Sequence, residues 1–269
     1  MLPGVYSALK RNGECYFRAS VTFGGKHISL GSYDNEANAN KAYLLSCEVL
    51  DSQSEWIIAN YPEGCVISFH KWVVLINFRD NRIYFKNPIY LRKKYFLYYI
   101  DQGTCLKFDA DDLFYYANHK ILKRGGHLFV SDYGMQVGIL SRYGIKNYAV
   151  PGRDYVFVNG DDKDLSYHNI EIINRFQGVT KSVRRGKTEY ISKIHINGDF
   201  LIGRYSTEIE AAIAYNKAII VLKNCGITKN YQRNYIEGID EIAYASLFQK
   251  IRISKKFVAF TETVNSKNV

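Results

Sequence analysis

The chain carries one short pattern twice. Residues 4–50 open on Gly4-Val5, run through Phe17-Arg18-Ala19-Ser20-Val21, reach Leu30-Gly31-Ser32-Tyr33 and close on Glu36-Ala37-Asn38-Ala39-Asn40-Lys41-Ala42-Tyr43. Residues 178–222 open on Gly178-Val179, run through Tyr190-Ile191-Ser192-Lys193-Ile194, reach Ile202-Gly203-Arg204-Tyr205 and close on Glu208-Ile209-Glu210-Ala211-Ala212-Ile213-Ala214-Tyr215. From the glycine of Gly-x-Tyr onward the copies match without a gap: Gly31, Tyr33, Glu36, Ala39, Ala42 and Tyr43 fall on Gly203, Tyr205, Glu208, Ala211, Ala214 and Tyr215. A repeated module of this size has to build a small core in each copy, and it presents the same kind of surface twice, which points to a long partner.

The residues of one copy predict a sheet and a helix. Phe17, Ala19, Val21 and Phe23 alternate with Arg18, Ser20 and Thr22, the period-two pattern of a half-buried strand. After a Gly24-Gly25 turn, Ile28 and Leu30 alternate with His27 and Ser29; before it, Val5 and Leu9 share one face and Tyr6, Ala8 and Lys10 the other, with Asn12-Gly13 as a turn. The result is a three-stranded antiparallel sheet with one apolar face and one polar, cationic and aromatic face. In the second copy that polar face holds Thr180, Ser182, Arg184, Lys193, His195 and Leu201, with Arg185-Gly186-Lys187 and Asn197-Gly198 at the turns. A helix follows each sheet, capped by Asp34 or Asn35 and by Ser206 or Thr207. Its inward positions are Ala39, Ala42, Tyr43, Cys47 and Leu50 in one copy, and Ala211, Ala214, Tyr215, Ala218, Ile219 and Leu222 in the other. Alanine at the central positions lets the helix lie close to the sheet; overpacking there costs roughly 1–3 kcal/mol. The helix uses up the apolar sheet face and leaves the opposite face for recognition or for water.

Charge favours recognition of a polyanion. Lys and Arg exceed Asp and Glu by 36 to 26, a net charge of +10. Residues 5–33 hold four cationic residues against one acid and residues 179–205 six against two, so the excess sits on the sheets and is greater in the second. A sheet of this width presented face-on suits the major groove of duplex DNA, where alternate side chains reach base edges. A hydrophobic content of 47% excludes a disordered chain. Cys15, Cys47, Cys65, Cys105 and Cys225 form no Cys-x-x-Cys pair and are odd in number, which points away from a disulfide frame and from a cysteine zinc site. No apolar run approaches the roughly 18 residues of a membrane span, and Met1-Leu2-Pro3-Gly4 carries no signal-peptide pattern. The expectation is a soluble cytoplasmic chain (nucleoid or host cytoplasm) that does not contact membrane.

Gly-Val, then aromatic-x-Ala/Ser-x-Val/Ile, then Leu/Ile-Gly-x-Tyr, then Glu-x-x-Ala-x-x-Ala-Tyr, closing on Asn60-Tyr61-Pro62 or Asn230-Tyr231, resembles the Apetala/ethylene-response-factor (ERF) DNA-binding domain over residues 3–62 and 177–232. That family reads the major groove with its sheet. The resemblance implies DNA-facing positions at Tyr6, Ala8, Lys10, Ser20, Thr22, His27 and Ser29, and at Thr180, Ser182, Arg184, Lys193, His195 and Leu201. Arg18 and Arg185 add phosphate or base contacts by charge and position. Where well-known readers of the family place arginines and tryptophans, several of these sites are small or hydroxylated, so no target sequence carries over. Ala8 and Ser29 make the first copy the weaker reader.

Between the copies, Ile67–Ile76 and Arg82–Phe85 read as strands, and Asp109–Tyr116 as a capped helix start. Residues 155–174, with Asn159-Gly160-Asp161 and Asn169-Ile170, resemble the core of a His-Asn-His (HNH) endonuclease, and Met135–Gly144 would correspond to that family's Leu-His-Arg helix. Such nucleases need a histidine to activate water and further ligands to hold a divalent cation. Here the expected Asp-His pair falls on Val156-Phe157, and no histidine lies between His127 and His168. His127, Asp132 and His168 are the remaining groups for an unorthodox site; Asp161, Asp162 and Asp164 read as a turn beside Gly160. Ile239–Phe248 reads as a helix, followed by a basic tail over Lys250–Lys256 that is either solvated or a phosphate contact.

The sequence thus predicts an α+β protein: two small three-stranded-sheet-plus-helix modules, at 1–62 and 176–235, flank a degenerate HNH-like ββα module at 63–175, and a helix with a basic tail spans 236–269. The expected function is sequence-specific binding of double-stranded DNA without catalysis, metal or cofactor, as a regulator of transcription or of a phage or mobile element. The alternatives are an HNH-type homing endonuclease with substituted ligands, and a protein- or RNA-interaction module derived from a DNA binder.

Overall fold

The computed structural model describes residues 1–265 and is mixed α+β, built from small antiparallel sheets with helices against them. It divides into two compact units, Met1–Ile139 with Asn159–Asn169, and Leu140–Val158 with Ile170–Val269.

In the first unit, β1 (Val5–Leu9), β2 (Cys15–Phe23) and β3 (Lys26–Tyr33) form an antiparallel sheet in sequence order. Val5, Ala19, Val21, Ile28 and Leu30 are buried on one face, as their alternation requires. Ala19 pairs with Gly31 but Ser20 pairs with Ser29, which leaves Leu30 as an extra, bulged residue. Behind the sheet lies α1 (Glu36–Leu50), capped by Asn35, whose Oδ1 accepts the Asn38 N–H at 2.8 Å. Ala39 and Ala42 are fully buried, as expected. Cys47 is instead exposed, and Ser46 is the inward residue, donating its hydroxyl to the Tyr43 carbonyl at 2.7 Å. Leu9, expected on the inner face, is 72% exposed at the hairpin end, where it pairs with exposed Cys15.

The strand expected over 67–76 is a helix, α2 (Phe69–Asn81), capped by Ser68 and ended by Arg82 at a left-handed φ of 60°. Every residue from Trp72 to Phe78 is buried. A helix buried on all sides has no polar stripe, so its sequence reads as a short buried strand. Ile67, Trp72, Leu75, Ile76 and Phe78 join Val5, Ala19, Val21 and Leu30 in one core. This helix therefore completes the first module, although the sequence assigned it to the central segment. Arg82–Phe85 forms no strand. A second sheet follows: β4 (Ile89–Leu91), β5 (Tyr95–Tyr99) and β6 (Cys105–Asp109), with α3 (Leu113–Asn118) entered through a single turn after Asp109; a helix start was expected here, but the expected side-chain cap does not form, and Asp109 Oδ2 accepts the Tyr167 N–H instead. Phe96, Phe108 and Tyr116 fill its core, the two phenylalanine rings stacked at 5.2 Å. A third small sheet, β7 (Ile121–Arg124), β8 (His127–Asp132) and β9 (Met135–Gly138), was not expected. Its last strand and a short turn at Ile139–Tyr143 occupy the stretch read as a Leu-His-Arg helix.

In the second unit, β10 (Tyr155–Phe157) and β11 (Ile170–Ile172) pair antiparallel. The repeat returns as β12 (Val179–Arg184), β13 (Lys187–His195) and β14 (Asp199–Tyr205), with α4 (Glu208–Asn224) entered through a Thr207–Glu210 capping box. Ser192 pairs with Gly203 and Lys193 with Leu201, so Ile202 is bulged as Leu30 is in the first copy. Ala211, Ala214, Ala218, Ile219 and Leu222 are buried against this sheet. The end of the chain is α5 (Glu241–Lys250) and α6 (Lys255–Asn265). The basic stretch Lys250–Lys256, expected as a tail, instead links α5 to α6, and α6 is docked on the sheet: Phe257 is 1% exposed, Phe260 packs on Phe200 at 4.4 Å, and the Ser254 N–H donates to the bulged Ile202 carbonyl at 2.7 Å. Among the described residues, no helix is long and apolar enough to cross a membrane.

Candidate nucleic-acid interface

Two contacts, present in both copies, hold each sheet flat against its helix. Gly4 and Gly178 sit at φ +71° and +69°, with the rings of Tyr43 and Tyr215 lying where a Cβ would stand. Each glycine carbonyl accepts an N–H from the middle strand, of Ser20 at 3.1 Å and of Lys193 at 2.8 Å. The second contact is Gly-x-Tyr. Tyr33 and Tyr205 lay their rings over Gly31 and Gly203 and donate their hydroxyls to carbonyls of the chain beyond the helix, at Val66 (3.2 Å) and Arg252 (2.9 Å). Burial pushes both phenols up to about 12. These contacts account for the glycines and tyrosines that make the repeat legible.

With the inner faces filled, the register fixes what points outward. In the first sheet Tyr6 pairs with Arg18, Ser20 with Ser29, and Thr22 with His27. Tyr6, Arg18, Thr22, His27 and Ser29 are exposed, and Ala8 is half-buried. Ser20 occupies an outward register position but is 8% exposed, with its Oγ enclosed and unpartnered. Lys10 lies past the end of β1 and is paired with Glu14 at 3.0 Å, whose hydrogen bond raises the amine and lowers the carboxyl. Thr22 Oγ1 lies 3.4 Å from His27 Nδ1. Arg18, 5.5 Å from the centre of the Tyr16 ring, makes no ion pair among the described residues and is the cation this face offers.

The second sheet differs in chemistry at nearly every matched position. Thr180 pairs with Ile191, Ser182 with Glu189, Arg184 with Lys187, and His195 with Asp199. Arg184, Arg185, Lys193 and His195 are exposed; Thr180 and Ser182 are half-buried. His195 Nδ1 lies 2.9 Å from Asp199 Oδ1, and Arg204 is bonded to Glu189. Arg184, Arg185, Lys187 and Lys193 make no ion pair among the described residues. Arg185 forms the first turn at φ 51°, ahead of Gly186. With Lys187 and Arg204 the two arginines line an open cleft of about 620 Å³ at the end of the sheet.

Ile191, Glu189, Asp199 and Arg204 also face outward and were missed in the sequence. The alternation from Lys193 back to Ile191 and Glu189 carried the signal for two of them. Arg204 was hidden by the bulge: Ile202 shifts the parity of β14, so both Leu201 and Arg204 face outward. Ser29 and Ser32 repeat this in the first copy.

The residues behind the HNH resemblance serve the loop they sit in. The Asn159 N–H donates to Asn169 Oδ1 at 2.8 Å, and Asn169 Nδ2 donates to the carbonyls of Asp161 and Asp164. Asp161 Oδ1 accepts the Lys163 N–H, the expected turn beside Gly160. Asp164 is buried. Its burial raises the carboxyl, but hydrogen bonds from Ser166 and Lys107 outweigh this and hold it below the usual range. Val156 and Phe157, on β10, pair with Glu171 and Ile170. Asp132 lies 3.6 Å from His119 Nε2, and His127 and His168 are exposed. Among the described residues no group of three or more His, Cys, Asp and Glu side chains is placed to hold a metal ion. Comparison of the chain with family models, curated proteins and solved structures found no match.

Proposed function

We propose that the chain binds double-stranded DNA sequence-specifically, laying the outward faces of its two repeated sheets in the major groove, and that it acts without catalysis as a regulator of transcription or of a phage or mobile element, in the nucleoid or host cytoplasm. The observation that carries this reading is the second sheet's set of exposed cations, Arg184, Arg185, Lys187 and Lys193, which have no acidic partner among the described residues and stand on a face, and at its turn, that is open to solvent. Ion-paired lysines and arginines on a water-facing sheet are ordinary; four without acidic partners on one small face favour phosphate. Arg18 plays the same part on the first sheet, more weakly because it acts alone. The central HNH-like loop is a scaffold in this reading, its Asn159, Asn169 and Asp164 being committed to the loop's own hydrogen bonds.

A mobility-shift titration of the full chain on a random duplex pool tests the proposal. Affinity falls steeply with salt. Arg184→Ala combined with Lys193→Ala weakens binding roughly thirtyfold or more while leaving the circular dichroism spectrum unchanged. Unaltered affinity in that folded double variant overturns the groove assignment, and nicking of plasmid in Mg²⁺ or Mn²⁺ overturns the absence of catalysis.

A further inference from the structure

The apolar centre of the second outward face carries a more specific inference, which rests on the DNA-binding reading above. Charge occupies both ends of that face, Arg184 against Lys187 at one end and His195 against Asp199 at the other. Between them stand Ile191, paired with Thr180 and Arg204, and Leu201, paired with Lys193 in the next row. Leu201 is 41% exposed and Ile191 half-buried, and neither is among the apolar residues packed against the module's core. The matched positions of the first sheet are Arg18 and Ser29, which are polar.

An apolar pair with Lys193 and Arg204 beside it, on a face that also carries Glu189 and Asp199, matches one feature of duplex DNA. The major groove displays a single apolar group, the C5-methyl of thymine, set among acceptors and flanked by phosphates. We infer that Ile191 and Leu201, with the Thr180 side chain beside them, pack against thymine methyl groups, while Lys193 and Arg204 next to them supply the polar contacts. Successive outward rows of a strand lie about 6.8 Å apart, close to two base-pair steps. Ile191 on β13 and Leu201 on β14 stand on successive rows, so they meet methyls of two different base pairs. The second module takes a T·A-containing site, and the first, with Arg18 and Ser29 in their place, does not share this preference.

Deoxyuridine, which pairs like thymidine but lacks the methyl, isolates this contact. The full chain is used to select duplexes from a random pool, and each thymidine of the selected site is then replaced by deoxyuridine in turn. At one or two positions the replacement weakens binding roughly fourfold, the factor for about 0.8 kcal/mol per methyl-sized group. Ile191→Ala with Leu201→Ala removes the difference between the thymidine and deoxyuridine duplexes. Because the wild-type comparison needs no variant, it stands even if the double variant fails to fold. Selective duplex binding that is indifferent to deoxyuridine at every position overturns the inference and leaves the DNA-binding reading intact. Absence of binding to any duplex at low salt overturns both, and so does a self-association through this face that Leu201→Asp disperses.

Discussion

The two copies of the repeat share the glycines, tyrosines and alanines that close their cores and differ at every matched outward position of their sheets. Gly4 and Gly178, Tyr43 and Tyr215, Ala39 and Ala211, and Ala42 and Ala214 occupy equivalent places in equivalent cores. Outward, Tyr6 is matched by Thr180, Arg18 by Ile191, Ser20 by Lys193, Thr22 by His195, and Ser29 by Leu201. Close packing leaves little choice of side chain at the buried positions, whereas the outward positions answer only to what the face meets. The two faces therefore present different chemistry. The second carries Arg184, Lys187 and Lys193, without ion pairs among the described residues, on the same face as Ile191 and Leu201; the first offers the single cation Arg18 among Tyr6, His27 and hydroxyl side chains.

The largest test of the shared interior is at its glycines. Gly4→Val and Gly178→Val each place a branched side chain at positive φ into a tyrosine ring. Each lowers the unfolding free energy of its module by more than about 4 kcal/mol, read from chemical denaturation. If one is tolerated and the other is not, the two interiors are not equivalent.

The next effect separates the ways the two modules are closed. The first is backed by α2 and the second by the C-terminal helices, so Trp72→Ala should destabilise the first and Phe257→Ala the second, each by about 3 kcal/mol or more. Hydrogen exchange resolves the two modules. Protection lost only in the module that carries the change sharpens the comparison; protection lost in both breaks it.

The smallest effect is shared again. Tyr33 and Tyr205 have phenols raised from 10 to about 12 by burial, so their contribution to stability is intact below pH 10 and is lost as pH rises towards about 12. Tyr33→Phe and Tyr205→Phe keep the ring over its glycine and remove the hydroxyl that holds the following chain. Each costs about 1 kcal/mol at neutral pH and reduces the alkaline loss of stability, followed by thermal melting across that pH range.

Local rules carried much of this fold. Period-two alternation in Phe17–Phe23, turn residues at Gly24-Gly25 and Arg185-Gly186, cap residues Asn35 and Thr207, and alanine spacing in the helices are each decided within a few residues, so the two sheet-and-helix modules could be read from the order of amino acids. The candidate interface was legible to the same extent, since strand alternation alone separates inward from outward positions. What escaped depended on contacts between distant segments. Trp72–Phe78 is buried on every side and shows no stripe to tell helix from strand. Leu30 and Ile202 bulge because the strands opposite them skip a residue, which turned Ser32 and Arg204 outward against the expected parity. Phe257 is buried because a sheet some fifty residues earlier in the chain offers it a surface, and no pattern near residue 257 announces that. Alternation and capping are short-range; burial on all sides, parity shifts and the docking of a chain end are set by which surfaces meet.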